Sequence, residues 1–175
     1  MLYFLKSRHL RSLRGVMLSA FSGGVDGVRV LAHTSRLPSL QTLGLSCSNI
    51  GDEGIKELAG SQSLTSLKTL DLQENQITDV GLFEFANSDK LPALKTLNLE
   101  ECRVSQRGYL ALACSLTLSR SITSFYQCEL NRKSAEEHAK KHGVEVRPGM
   151  SIPEIVSAIR ARRGAEHAKL MKTQS

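Results

Sequence analysis

The chain writes nearly the same sixteen residues twice, LKTLDLQENQITDVGL at 67–82 and LKTLNLEECRVSQRGY at 94–109, 27 residues apart. A fixed period of this length marks a stacked-repeat architecture, and it restricts the fold more than any other property of the sequence. A third copy lies upstream. Leu40, Leu43, Leu45, Ile50, Gly54, Ile55, Leu58 and Ala59 stand 27 residues before Leu67, Leu70, Leu72, Ile77, Gly81, Leu82, Phe85 and Ala86. Leu94, Leu97, Leu99, Val104, Gly108, Tyr109, Leu112 and Ala113 follow at the same interval. One step back, Leu13, Val16, Leu18, Gly27, Val28, Leu31 and Ala32 keep the phase, although the Ile50 slot becomes Gly23. Beyond Ala113 the phase slips, because Cys128 arrives one residue early relative to Cys102, and residues 119–149 read as a degenerate closing repeat.

Each unit has two halves. Leu-x-x-Leu-x-Leu alternates as a strand does, putting Leu43 and Leu45, Leu70 and Leu72, and Leu97 and Leu99 on one face. The second half spaces its apolar residues as a helix does, with Ile55, Leu58 and Ala59 at i, i+3 and i+4. A single strand plus helix cannot bury its apolar side alone, so neighbours must stack on it. The expected architecture is an α/β solenoid of four to five repeats, with a curved parallel sheet inside and helices outside. Its divisions are an N-terminal extension at 1–9, the solenoid at 10–149, a C-terminal capping helix at 150–163 and a basic flexible tail at 164–175.

The runs LQTLGLSCSNIGDEGIKELA, LKTLDLQENQITDVGLFEFA and LKTLNLEECRVSQRGYLALA resemble leucine-rich repeats of the ribonuclease-inhibitor-like or cysteine-containing kind. The resemblance spans residues 10–149. It implies that Asn or Cys, three positions beyond the second strand leucine, satisfies loop backbone inside the stack. That column reads Phe21, Ser48, Asn75 and Cys102: the last two fit, serine is a polar substitute, and Phe21 departs. The family is known chiefly for binding other proteins, and a fold of this kind does not by itself assign an activity.

Composition narrows the class further. The 175 residues are 41% hydrophobic with no apolar run long enough to span a bilayer. Cys47, Cys102, Cys114 and Cys128 form neither a metal pair nor a disulfide framework, which points to reduced thiols in an intracellular, preferentially cytoplasmic, setting. The net charge of +6 is unevenly spread. Residues 1–36 and 119–175 each carry +5, whereas 37–118 carry −4. Because Lys6, Arg8, Arg11 and Arg14 precede the first acid, Asp26, the N-terminus also has the composition of a mitochondrial transit peptide; its repeat phase argues against cleavage.

The C-terminal end reads as a lid. Ser134 to Glu137 and Ser151 to Glu154 both match the capping box, and Gly143 is placed to stop the first helix. GVEVRPG would add a last extended piece. Ile152, Ile155, Val156 and Ile159 form one stripe, with Met150 and Ile155 spaced as a hydrophobic staple.

Catalytic and metal motifs do not emerge. His138 and His142 stand at i, i+4 but lack the intervening glutamate and a third ligand, so neither metal nor other cofactor is expected. The glycines at 23, 24 and 27 match no phosphate loop. Function is therefore expected on the concave surface, where residues alternating with the strand leucines form columns. These are Thr42, Gly44 and Ser46, then Thr69, Asp71 and Gln73, then Thr96, Asn98 and Glu100, extended by Met17 on one side and Tyr126 on the other. The expected role is a non-enzymatic scaffold holding a protein partner there, with Asp71 and Glu100 favouring a partner of positive charge. Two other classes stand beside it. One is a structural subunit of an intracellular or mitochondrial assembly, including a ribonucleoprotein, contacted through the basic termini; direct nucleic-acid binding there lacks interleaved aromatics. The other, more remote, is a small-GTPase regulator using Arg103 or Arg107. The first repeat, which starts without an evident cap, is expected to be covered by a partner or a second copy.

Overall fold

The computed structural model describes residues 8–118, 122 and 130–173. After a 3-10 turn at Arg8–Ser12, four units follow: β1 (Gly15–Met17) and α1 (Gly24–His33), β2 (Thr42–Gly44) and α2 (Gly51–Ala59), β3 (Thr69–Asp71) and α3 (Asp79–Asn87), β4 (Thr96–Asn98) and α4 (Gln106–Ala113). The strands form one parallel sheet in the order β1-β2-β3-β4, and each is paired one whole repeat away, Val16 with Leu43, Leu43 with Leu70, Leu70 with Leu97. Helices pack on their sequential neighbours behind the sheet. This is the α/β leucine-repeat solenoid that the period predicts.

The apolar columns close into a single core, in which Leu40, Leu67 and Leu94, Leu43, Leu70 and Leu97, and Leu31, Leu58, Phe85 and Leu112 are all buried. One further column, Leu10, Leu37, Leu64, Leu91 and Leu118, fills the return from each helix to the next strand.

Three polar ladders connect the repeats. In the first, Ser48 Oγ donates to Leu18 O (3.2 Å), Asn75 Nδ2 to Leu45 O (2.9 Å) and Cys102 Sγ to Leu72 O (3.3 Å). Asn75 does most, since its Nδ2 also reaches Leu72 O and its Oδ1 accepts from Ser48 N (3.1 Å) and Ile50 N (3.2 Å). Phe21 cannot bond in this way, and its own N–H donates to Ser48 Oγ instead. In the second ladder Ser61, Ser88 and Ser115 donate their hydroxyls to the carbonyls of Ala32, Ala59 and Ala86, at the C-terminal ends of the preceding helices. Those carbonyls have no intrahelical partner, so a buried hydroxyl there removes a desolvation cost.

The third ladder works at the opposite helix ends. Asp52 accepts from Thr78 N and Oγ1, both at 2.7 Å, and Asp79 accepts from the N and Oγ of Ser105. Thr78 and Ser105 are themselves the N-caps of α3 and α4. Gln106 Oε1 continues the series by accepting from Asn131 N, one residue early for the period, which is where the sequence slips. The glycine column makes room for this ladder: a β-carbon at Gly81 would lie 2.4 Å from Ile55 Cγ2 and 2.7 Å from Asp52 Oδ1, and one at Gly108 would lie 2.6 Å from Asp79 Oδ1.

Two further helices, α5 (Arg132–Lys141) and α6 (Ile152–Thr173), close the stack. Ala135, Ala139, Ile155, Val156 and Ile159 are buried against Leu110, Ala113 and Cys114 of the fourth unit, with Ile152 and Met150 packed at the margin. Details differ from the sequence reading. Helix α5 is capped by Asn131, whose Oδ1 accepts from Ser134 N (2.9 Å), not by a box at Ser134, because the Gln106 bond fixes the chain at Asn131. Gly143, at φ +62, does end it: Val144 N bonds Ala139 O and Gly143 N bonds Lys140 O, a Schellman closure. The segment GVEVRPG forms no strand; Val144 and Val146 pack on the lid cluster instead. At Ser151 the Glu154 carboxylate accepts from both N and Oγ, half of a capping box. The flexible tail expected at 164–175 is helical as far as Thr173, since Ala, Arg, Glu, Lys, Leu and Met all favour helix and Arg162 pairs with Glu166 at i, i+4.

Asn75→Ala strips acceptors and donors from several buried backbone groups at about 1–3 kcal/mol each. Urea unfolding is expected to show a loss of at least about 3 kcal/mol, with Cys102→Ala costing about 1 kcal/mol. Gly81→Ala, which forces α2 and α3 apart, is expected to cost about 1–3 kcal/mol in the same measurement.

Candidate functional site

Parallel pairing in whole-repeat register turns the alternate strand residues into straight columns, because neighbouring strands lie about 4.8 Å apart. Thr42, Thr69 and Thr96 form the first column, Gly44, Asp71 and Asn98 the second. Ser46, Gln73 and Glu100 follow just past the strands. Thr96 and Glu100 are exposed; Thr42, Ser46, Thr69, Asp71, Gln73 and Asn98 are half-buried. Asp71 Oδ1 accepts from Gln73 N (3.1 Å) and Asn98 Oδ1 from Glu100 N (3.0 Å), so both turns are braced by the side chains that line the surface.

Two of the expected positions differ in kind. Gly44 is buried, because Met17 lies across it: a β-carbon there would sit 2.4 Å from Met17 Cε, and Met17 itself is 61% exposed. The surface at that place is methionine. Tyr126 lies outside the described residues, as does Cys128.

Two flanks border the columns, and they carry opposite charge. Where the strands end, Ala20, Cys47, Glu74 and Glu101 adopt left-handed backbone, at φ between 53 and 55. That turn lets the next residue, in the Asn75 column, point inward. It also leaves Glu74 and Glu101 exposed beside Asp71 and Glu100. Where the strands begin, the same register aligns Arg14, Gln41, Lys68 and Lys95, with Lys68 Nζ donating to Gln41 Oε1 (3.1 Å). The sequence reading had neither flank, although the 27-residue spacing of the cations could have revealed the second.

The C-terminal lid joins the basic flank. Arg163 Nη1 donates to Cys114 O (2.9 Å), at the end of α4, and its Nη2 to Asn87 Oδ1 (3.2 Å), at the end of α3. A guanidinium at two helix C-termini opposes their partial negative charge. Helix C-termini share the flank of the strand starts, so Arg14, before β1, and Arg163, at the ends of α3 and α4, stand on one flank at opposite ends of the stack.

These surfaces present charged groups and hydrogen-bonding groups. The described thiols are protonated at neutral pH. Burial pushes Cys114 up to about 11 and raises Cys102, while Cys47 is raised by its hydrogen bond to Glu74. The rings of His138 and His142 lie with centroids 4.7 Å apart, tilted by 57° to each other. No cluster of three metal-binding side chains occurs among the described residues. No helix among them is long and apolar enough to cross a membrane.

Family models match two stretches of the chain. Residues 65–106 match the family described as Leucine Rich repeats (2 copies), and residues 36–59 the family described as Leucine Rich repeat. No curated protein sequence matches the chain. Among solved structures, the C-terminal domain of tropomodulin from Caenorhabditis elegans is 14% identical, with a TM-score of 0.49 over 94% of this chain and 92% of that one. Actin-binding site 2 of leiomodin-1 is 12% identical, with a TM-score of 0.43 over 94% of this chain and 88% of that one.

Burial lowers the His138 pKa from 6.5 to about 4, helped by His142, Arg163 and Lys141. Between those values the unfolded chain binds the proton and the folded lid does not, so stability rises with pH across the window and is lost as pH falls from 6.5 towards 4. Because the ring is only half-buried, the expected loss is about 1 kcal/mol, read by urea unfolding over the window, and His138→Gln should flatten the dependence.

Proposed function

We propose that this chain, a leucine-rich repeat protein, works as a non-enzymatic scaffold that holds a protein partner on its concave strand face. The observation that carries the reading is the unbroken register of Thr42, Thr69 and Thr96 beside Met17, Asp71, Asn98, Gln73 and Glu100. A rigid sheet presents them, and rigid presentation lowers the ordering cost of binding. None of these residues is needed for the core, which the leucines fill from the other side. Hydroxyls and amides supply hydrogen bonds, Met17 supplies an exposed apolar contact, and Asp71 with Glu100 supplies negative charge. The partner segment is therefore basic where it meets the strand exits.

The second reading, a structural subunit of a larger assembly contacted through its basic ends, draws support from the placing of Arg14 and Arg163 on one flank, at its two ends.

Asp71→Arg combined with Glu100→Arg distinguishes the two. In a tagged capture from cells at about 50 and 200 mM salt, a concave-face partner is lost from the double variant and persists with the wild type as salt rises. A partner that stays with the variant and is stripped by salt belongs to the basic ends.

A further inference from the structure

Every loop that leads into a strand adds positive charge to the same flank. Arg11, Arg14, Arg36, Lys68, Lys90 and Lys95 come from four successive loops and are all exposed. Against them those loops hold one acid, Asp89, which is tied to Lys90 at 2.9 Å. Among the described residues the other five cations take part in no ion pair. Ser12, Ser39, Gln41 and Ser66 lie between Arg11 and Arg14 and the next repeats, lining a shallow groove with neutral hydrogen-bonding groups. Further along, Arg163 of α6 places one more cation at the ends of α3 and α4.

Helix ends explain part of this. Arg36 and Lys90 follow α1 and α3 by three residues and complement their C-terminal carbonyls. Lys68 and Lys95 stand at the strand starts, on the concave side of the flank, where no helix end calls for a cation. Like charges stacked at about 4.8 Å repel one another, and a bound anion removes that cost.

We infer that this strand-entry flank is a second docking surface, distinct from the concave columns, and that its occupant is an acidic segment of a protein. Two observations favour polypeptide over nucleic acid. No aromatic side chain stands on the flank among the described residues, so bases have nothing to stack on. The opposite flank, where Asp71, Glu74, Glu100 and Glu101 outnumber Arg103, repels a phosphate polymer that runs on across the sheet, whereas a protein segment can change sign along its length.

The test uses the full chain and three labelled probes: a glutamate-rich peptide of about 12 residues, a single-stranded RNA and a duplex DNA of similar charge, followed by fluorescence anisotropy at about 50 and 200 mM salt. The glutamate peptide is expected to bind at low salt, at least about tenfold tighter than either nucleic acid. Arg14→Glu with Lys68→Glu and Lys95→Glu should weaken it at least about tenfold, while Asp71→Arg with Glu100→Arg leaves it unchanged or slightly tighter. Lysine-reactive footprinting of the wild type needs no variant, and it should show Lys68 and Lys95 protected by the peptide and Lys133 accessible. No binding of the peptide to the wild type at low salt overturns the assignment, as does binding that survives the triple reversal or leaves Lys68 and Lys95 unprotected. Tighter binding of RNA or DNA, sensitive to the same reversal, reassigns the flank to nucleic acid.

Discussion

Backbone inside the turns has to be hydrogen-bonded, and the whole solenoid depends on how that is done. A strand that must turn sharply and return as a helix carries its peptide groups into a leucine core where water cannot follow. Asn75 resolves this at the centre of the stack, with one amide serving Leu45 and Leu72 as donor and Ser48 and Ile50 as acceptor. Its reach spans two repeats, so neighbouring units cannot separate without exposing or orphaning those groups. Ser61, Ser88 and Ser115 perform the same service at the helix C-termini, and Asp52 and Asp79 at the N-termini. Apolar burial supplies the drive to stack. The ladders set where the stacking stops.

The glycine column follows from that geometry. Gly81 and Gly108 sit where the carboxylates of Asp52 and Asp79 pass between helices, and a methyl group would occupy the same space. One constraint thus accounts for two repeated letters. The left-handed residues Ala20, Cys47, Glu74 and Glu101 are the matching cost on the strand side, and they tolerate it because the turn they make aims the next side chain at the stack. Exposure of Glu74 and Glu101 is a by-product, and it gives the strand-exit flank its negative character.

Much of this was readable before any coordinates. The 27-residue period, the alternation of Leu70 and Leu72, and the helical spacing of Leu82, Phe85 and Ala86 all translate directly into the observed elements. Asn75 and Cys102 were legible through their family resemblance, and Ser61, Ser88 and Ser115 could have been, since they keep the same interval. Gly44 was misleading: its place in the alternation is correct, yet Met17 from the neighbouring strand covers it. The tail past Arg163 was misread because its charge looked like solvation, while its residues are good helix formers.

Local physics determined the repeat, its strand, its helix and the side that faces inward, because each depends on residues within one period and recurs identically. What lies beside what across distant sequence was decided only by folding. Arg14, Lys68 and Lys95 become one column through parallel register, and Arg163 reaches Cys114 and Asn87 because α6 turns back over the stack. Sequence separation hides such neighbours, since the lid is positioned by burial of Ile155, Val156 and Ile159, and burial has no direction along the chain. The +5 at each end of the sequence therefore reads as two unrelated basic regions, and only the parallel stack puts Arg14 and Arg163 on the same flank.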